Sequence, residues 1–266
     1  MRAENVSAAL YAALTPEHLL RIATHHRAAY ARAEPFPHYV IDDIFPGSVL
    51  HELHHELPET SKGGCVTKVC FVQKGVQYLK SAINEEAQMG PATRSLFAFL
   101  KSSLWVRFLE KLSGINGIIP DPHYLGSGVH FTAPGGQLQV HADFNRYKAL
   151  GLRRRVNTFL FLNHEWPESY GGHLELWNRN MTMCQQRILP SLGRFVVFSS
   201  TDFSYHGHPI PLAAPEGRLR RSLALYYFTT GCPKQDCLGD CSKAHSTLWQ
   251  TPRGCQACQE PTCKAY

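Results

Sequence analysis

From Ile118 to Thr230 the chain is cut into short β-type runs by Gly, Pro and Asn, and this texture narrows the folds open to it. The runs are Val129–Thr132, Leu138–Asp143, Asn157–Leu162, His173–Trp177, Arg194–Ser199 and Ser222–Thr229. They are rich in Val, Phe, Leu and Tyr and bounded by turn residues, which predicts many short antiparallel strands in a sandwich or barrel.

The first 117 residues read differently. Thr15-Pro16-Glu17 combines a capping hydroxyl, proline at the first helical position and an acid in the first turn, and predicts a helix that fades near Ala33. A short strand is expected at Tyr39–Ile41, and a second helix through Val49, Leu50, Leu53 and Leu57. Between Pro91 and Leu112 the apolar residues keep a helical period, as one long helix or two joined near Ser102-Ser103. Residues 61–90 read as a lid or variable loop, with a strand possible inside it. The fold class expected is α+β with a mainly β core. The helical part (1–117) and the β core (118–230) form one domain, followed by a cysteine-rich tail at 231–266.

Composition restricts the partners. No run of eighteen apolar residues exists, so no membrane span is expected, and the N-terminus lacks a continuous apolar segment of the secretory kind. A cytoplasmic location follows as an expectation, and there thiols stay reduced. Six of the nine cysteines crowd between Cys232 and Cys263. The set Cys232, Cys237, Cys241, His245, Cys255, Cys258 and Cys263 therefore reads as metal-binding or redox-active before it reads as disulfides, with one structural zinc possible. Arg153-Arg154-Arg155 is the clearest basic cluster and reads as a solvated loop.

The chemistry begins in Leu138–Asp143. Apolar and polar residues alternate there, so His141 and Asp143 share one face of a strand, about 7 Å apart along the backbone. An imidazole and a carboxylate so placed are two thirds of a 2-His-1-carboxylate triad, which holds Fe(II) and leaves coordination positions open. His206 and His208, 63 and 65 positions after Asp143, compete for the third place. Arg218, Arg220 and Arg221 follow. Arg220 shares a face with Ser222, whereas Arg221 shares one with Leu223 and Leu225, so parity favours Arg220 as an inward-facing cation.

Together these blocks resemble the 2-oxoglutarate- and Fe(II)-dependent oxygenases, in particular their prolyl-4-hydroxylase-like group. The resemblance spans roughly residues 120–230. It rests on His141-Ala142-Asp143, Phe159–Asn163, Gly171–Trp177, Gly193–Phe198, His206-Gly207-His208-Pro209 and Arg220–Phe228, in the order and spacing of the family. It implies a double-stranded β-helix (jelly-roll or cupin-like) with the N-terminal helices packed on one sheet. His141, Asp143 and His206 would be the metal ligands, the last chosen because the family places its ligand just before Gly-x-Pro. Arg220 would pair with the distal carboxylate of 2-oxoglutarate, with Ser222, His130 and Phe161 in the cosubstrate pocket.

Cofactors implied are Fe(II), 2-oxoglutarate and O2, with ascorbate as reductant. The expected reaction hydroxylates an unactivated aliphatic C–H on a prolyl residue or another small amino-acid-derived substrate, releasing succinate and CO2. Asp143 argues against a halogenase of this fold, which replaces that carboxylate. Tyr226 stands where nucleic-acid demethylases of the superfamily carry a second arginine, which argues against a nucleic-acid partner. A peptide or small molecule is the expected partner. The alternative of a different class is a non-catalytic β-barrel binding module whose function lies in the cysteine-rich tail.

Overall fold

The structure, a computed structural model, describes residues 3–58, 67, 69–73, 76–251 and 264–265. Helices α1 (Ala3–Ala13) and α2 (Pro16–Arg32) lead into strand β1 (His38–Ile41) and helix α3 (Gly47–Glu56). Thr15 caps α2 by accepting a hydrogen bond from His18 N at 3.2 Å. Strands β2 (Val69–Gln73) and β3 (Gln77–Ile83) form an antiparallel hairpin where the sequence left a strand and a loop both open. The stretch from Pro91 is two helices, α4 (Pro91–Leu100) and α5 (Ser103–Ser113). Ser102 makes the break, its hydroxyl accepting from Trp105 N at 3.3 Å, and Gly114 ends α5 at φ 75°.

The β core follows as β4 (Ile119–Pro120), β5 (Gly128–Ala142), β6 (Arg146–Tyr147), β7 (Leu152–Phe161), β8 (Leu174–Trp177) and β9 (Cys184–Ile188). Then come β10 (Phe195–Ser199), β11 (His206–His208), β12 (Arg220–Thr229) and, in the tail, β13 (Leu248–Trp249). The antiparallel order is β1-β10-β7-β12-β5-β11-β8-β9, curled into an open barrel, with β3 laid along β5. This is the double-stranded β-helix. Among the described residues no helix is long and apolar enough to cross a membrane.

Strand alternation divides the core into two layers. On β10, Phe195 and Val197 pack with the large cluster that includes Leu53, Leu96, Trp105 and Leu109 of the helices, while Val196 and Phe198 face Phe161 and Leu176 inside the barrel. Likewise Leu223, Leu225 and Tyr227 of β12 join the helical cluster, leaving Arg220, Ser222 and Tyr226 on the opposite face, which lines the barrel cavity. The helices thus support the wall whose other face carries the site.

Two local expectations are corrected, and one strand is added. Val129–Thr132 and Leu138–Asp143 are one fifteen-residue strand, because the Pro-Gly-Gly between them bends the strand without ending it. There Gly135 N donates to Leu212 O at 2.8 Å and Leu212 N to Gly136 O at 3.0 Å, so the backbone stays paired through the bend. Strand β9 was not foreseen. The Arg153–Arg155 run is no solvated loop: it lies inside β7, all three side chains are buried, and each meets an acid, Asp202, Asp143 and Asp236 in turn.

Candidate active site

Register brings the metal-ligand candidates together. In an antiparallel pair, residues directly opposite share a face. His206 of β11 lies opposite His141 of β5, and their rings stand 4.6 Å apart between centroids. Asp143, one residue beyond β5, places Oδ1 3.4 Å from His141 Nε2 and Oδ2 3.5 Å from His206 Nε2. These three groups offer one ligand atom each, all within 4.8 Å of one another.

Their hydrogen bonds fit a metal. His141 Nδ1 lies 2.8 Å from Gln139 O and His206 Nδ1 2.9 Å from Ser204 O. A carbonyl only accepts, so each Nδ1 carries the proton and each Nε2 keeps its lone pair directed at the shared point. Burial drives the His206 pKa down to about 4, partly opposed by Asp143, so this imidazole is neutral at neutral pH. Burial by itself would raise the Asp143 carboxyl, but Arg154, then His206 and His141, hold it well below the usual carboxylate range. Two neutral imidazoles and one carboxylate are the donor set that suits a divalent iron.

Arg154 and Asn157 support the carboxylate. Arg154 Nη2 ion-pairs with Asp143 Oδ2 at 2.9 Å, and Asn157 Nδ2 donates to the same oxygen at 2.7 Å. Arg154 Nε donates to Asn157 Oδ1 at 2.8 Å, and its guanidinium lies 3.4 Å over the Tyr226 ring. Strict alternation would turn Arg154 away from Asn157. A register slip prevents this: Val156 faces Tyr227 while Arg154 faces Phe228, so Arg155 is an extra residue and the parity reverses.

Arg220 reaches the same cavity from β12. Its Nε donates to Gly172 O at 2.7 Å, its guanidinium lies 5.0 Å over Phe161, and burial lowers its pKa to about 9. Gly172, at φ 71°, is required here, because a Cβ would stand 2.9 Å from Arg220 Cδ and 2.5 Å from a Leu212 methyl. Ser222 lies in register with His130 on one side and Phe161 on the other, and all three line the cavity with Arg220. His130 Nε2 lies 3.0 Å from Gly126 O, so that nitrogen is committed to the backbone. Arg218 and Arg221 go elsewhere, the first to His164 O and the second to His54 O and Nδ1 on α3.

Sequence reasoning missed two cavity residues. Lys80 of β3 lines the cavity opposite Thr132, and Arg220 faces Thr132 from its other side, so the three form one cross-strand row. Burial lowers the Lys80 pKa to about 8, against the pull of Asp143. His208 also lines the cavity, its Nδ1 buried without a hydrogen-bond partner, and burial beside Arg220 and Lys80 keeps it neutral. Parity with His206 was the available signal for His208. Lys80 had none, since its strand could not be read.

In the tail, the Cys232, Cys237 and Cys241 sulfurs converge, with Cys237 and Cys241 joined as a disulfide and Cys232 Sγ 3.1 Å from Cys237 Sγ. His245 is turned away from them, its Nε2 3.0 Å from Asp202 Oδ1. Cys255, Cys258 and Cys263 lie outside the described residues.

Comparison with known proteins agrees with this fold. Residues 127–228 match the family model of the 2OG-Fe(II) oxygenase superfamily. A prolyl hydroxylase of Trichoplax adhaerens, solved with a hypoxia inducible factor oxygen degradation domain peptide fragment, is 15% identical over 80% of this chain and 91% of its own, with a TM-score of 0.53. A prolyl 4-hydroxylase of Phytophthora capsici is 15% identical over 81% and 66%, with a TM-score of 0.50. No curated protein sequence matches the chain. Residues 127–228, the β core that carries His141, Asp143, His206 and Arg220, match the 2OG-Fe(II) oxygenase superfamily, and the chain has the fold of its prolyl-4-hydroxylase-like group.

Proposed function

We propose that the protein is an Fe(II)- and 2-oxoglutarate-dependent hydroxylase acting on an aliphatic C–H of a prolyl residue or another small amino-acid-derived substrate, with release of succinate and CO2. The observation that carries this is the convergence of three metal-ready donors on a cavity that the Arg220 guanidinium also lines. Iron bound by His141, Asp143 and His206 would supply oxygen activation coupled to decarboxylation of the 2-oxo acid. The remaining work belongs to the chain. Arg220, fixed by Gly172 O and Phe161, pairs with the distal carboxylate and orients the cosubstrate. Phe159, Phe161 and Leu174 give the cavity an apolar part of its wall.

A screen of 2-oxoglutarate turnover with Fe(II) and ascorbate, against free amino acids and proline-containing peptides, tests this directly. Succinate release coupled to a gain of one oxygen atom is expected. Iron-loaded protein that releases no succinate under any condition would rule the proposal out.

Two further outcomes are expected. Arg220→Met removes a buried charge-assisted contact of about 2–3 kcal/mol, so the KM for 2-oxoglutarate should rise about 30- to 150-fold. Initial rates against cosubstrate concentration check it. The second concerns pH. Because His206 and Asp143 are both deprotonated well below neutrality, neither opposes metal binding above about pH 5, and Mn(II) affinity should not fall on their account between pH 8 and 6. In the metal-free protein the His206 pKa lies below its unfolded value of 6.5, so the unfolded chain takes up the extra proton as pH falls from 6.5 toward 4. Metal-free stability should decline through that window, by on the order of 3 kcal/mol, in denaturant titrations at successive pH values.

For the tail, a single zinc at Cys232, Cys237 and Cys241 requires the Cys237–Cys241 bond to be reduced. Metal analysis of reduced full-length protein should then give one zinc in addition to iron.

A further inference from the structure

The tail, which the sequence set apart from the catalytic core, passes directly beside a candidate metal ligand. Strand β13 pairs antiparallel with β5, Leu248 opposite Ala142 and Trp249 opposite His141, and Gln250 N donates to Val140 O at 2.8 Å. His141 is therefore flanked on one side by His206 and on the other by Trp249. Opposed residues share a face, so the indole continues the row of imidazoles across the sheet. The Trp249 and His141 rings lie 4.9 Å apart between centroids.

This placement is fastened from several sides. Leu248 packs into the cluster of Val140, Ala142, Trp177 and Tyr205. Upstream, Asn145 donates to Lys243 O and accepts from His245 N, Arg153 donates to Cys241 O and Cys237 Sγ, and Asp202 accepts from Leu238 N. The groups that hold the tail thus come from the strands and loops that build the site. The indole they deliver is 36% exposed, whereas Trp105, Trp166 and Trp177 are each at most 5% exposed. Trp249 thus packs against His141 while part of its indole stays open to solvent beside the candidate ligands.

From this geometry, and resting on the hydroxylase proposal above, we infer that Trp249 is a wall of the substrate site: the substrate lays the apolar group bearing its reactive C–H against the indole. An aromatic face presents a broad apolar surface at small conformational cost, and its position in the ligand row sets how near a group resting on it lies to the metal. The cysteine-rich tail is then part of the active site and contributes to substrate selection.

The test uses full-length, iron-loaded protein and its W249A and W249F variants, with free L-proline and poly-L-proline as acceptors. At saturating Fe(II), W249A should raise the acceptor KM tenfold or more, and W249F should recover most of the loss. Because Trp249 is the exposed tryptophan, acceptor added to the Mn(II)–2-oxoglutarate form should reduce acrylamide quenching of wild-type fluorescence, and W249F should lack that change. If excess Fe(II) returns W249A to wild-type kinetics, or if acceptor leaves quenching untouched, the indole serves only to brace His141 and the inference is overturned. A wild type that consumes no 2-oxoglutarate fails the hydroxylase proposal as well. Turnover by the wild type with unaltered W249A kinetics fails this inference alone.

Discussion

Replacing His141 with alanine is expected to strip the protein of iron and to cut 2-oxoglutarate turnover about 10³-fold or more, equivalent to at least about 4 kcal/mol of lost barrier lowering. His141 supplies one of three donors, and a histidine and a carboxylate alone would leave the metal held by a partial set. The fold should survive. Among the described residues the side chain's short hydrogen bond is to Gln139 O, worth about 1 kcal/mol or about 2–4 °C of melting temperature for a chain of this size, beside a longer 3.4 Å contact to Asp143 Oδ1. Iron per chain by elemental analysis, set beside the melting temperature of metal-free protein, separates a lost ligand from a lost fold. His208→Ala gives the contrast, since His208 is outside the donor set and that variant should still bind iron. Iron retained by the alanine variant at 141 but lost by the one at 208 would reverse the assignment.

The candidate ligands could be grouped from the sequence because they obey strand parity. His141 and Asp143 are two residues apart on an alternating run, and Arg220 and Ser222 on another, so the sequence itself placed each pair on one face. The helix from Pro16 was legible through its cap at Thr15, whereas the sequence left one helix or two open around Ser102-Ser103, where the structure has a break capped by Ser102. What escaped was set by contacts distant in sequence or by breaks in register. Three adjacent arginines signal solvent unless their acids are known, and here those acids are Asp143, Asp202 and Asp236. The extra residue at Arg155 exchanges the faces of its neighbours, and no local pattern announces it. Gly135-Gly136 read as a chain break because glycine ends strands more often than it bends them. Here Gly135 N and Gly136 O pair with the Leu212 backbone, supplied by the loop before β12. Trp249 sits in a two-residue strand that exists only because β5 offers an edge beside His141.

Arg154 and Asn157 both touch Asp143, yet removing them should have opposite effects on metal affinity. Arg154→Met leaves a buried carboxylate without its cation, and breaking such a pair costs about 3–5 kcal/mol, so metal-free protein should lose about 6–20 °C of melting temperature. A bound divalent metal neutralises the same carboxylate, and it is repelled by the guanidinium 2.9 Å from Oδ2. The metal-loaded variant should therefore lose less stability than the metal-free one. By the thermodynamic cycle, its metal affinity should be equal to or greater than that of the wild type. Asn157→Ala differs. It removes a neutral donor that aims the carboxylate and leaves the charge balance unchanged, so affinity should fall about 10- to 100-fold, the range usual for groups that orient a ligand. Mn(II) titration of both variants, with melting curves at zero and saturating metal, distinguishes the two roles. A tenfold or larger loss of affinity in Arg154→Met would show that the guanidinium aims the carboxylate rather than neutralising it in the metal-free protein.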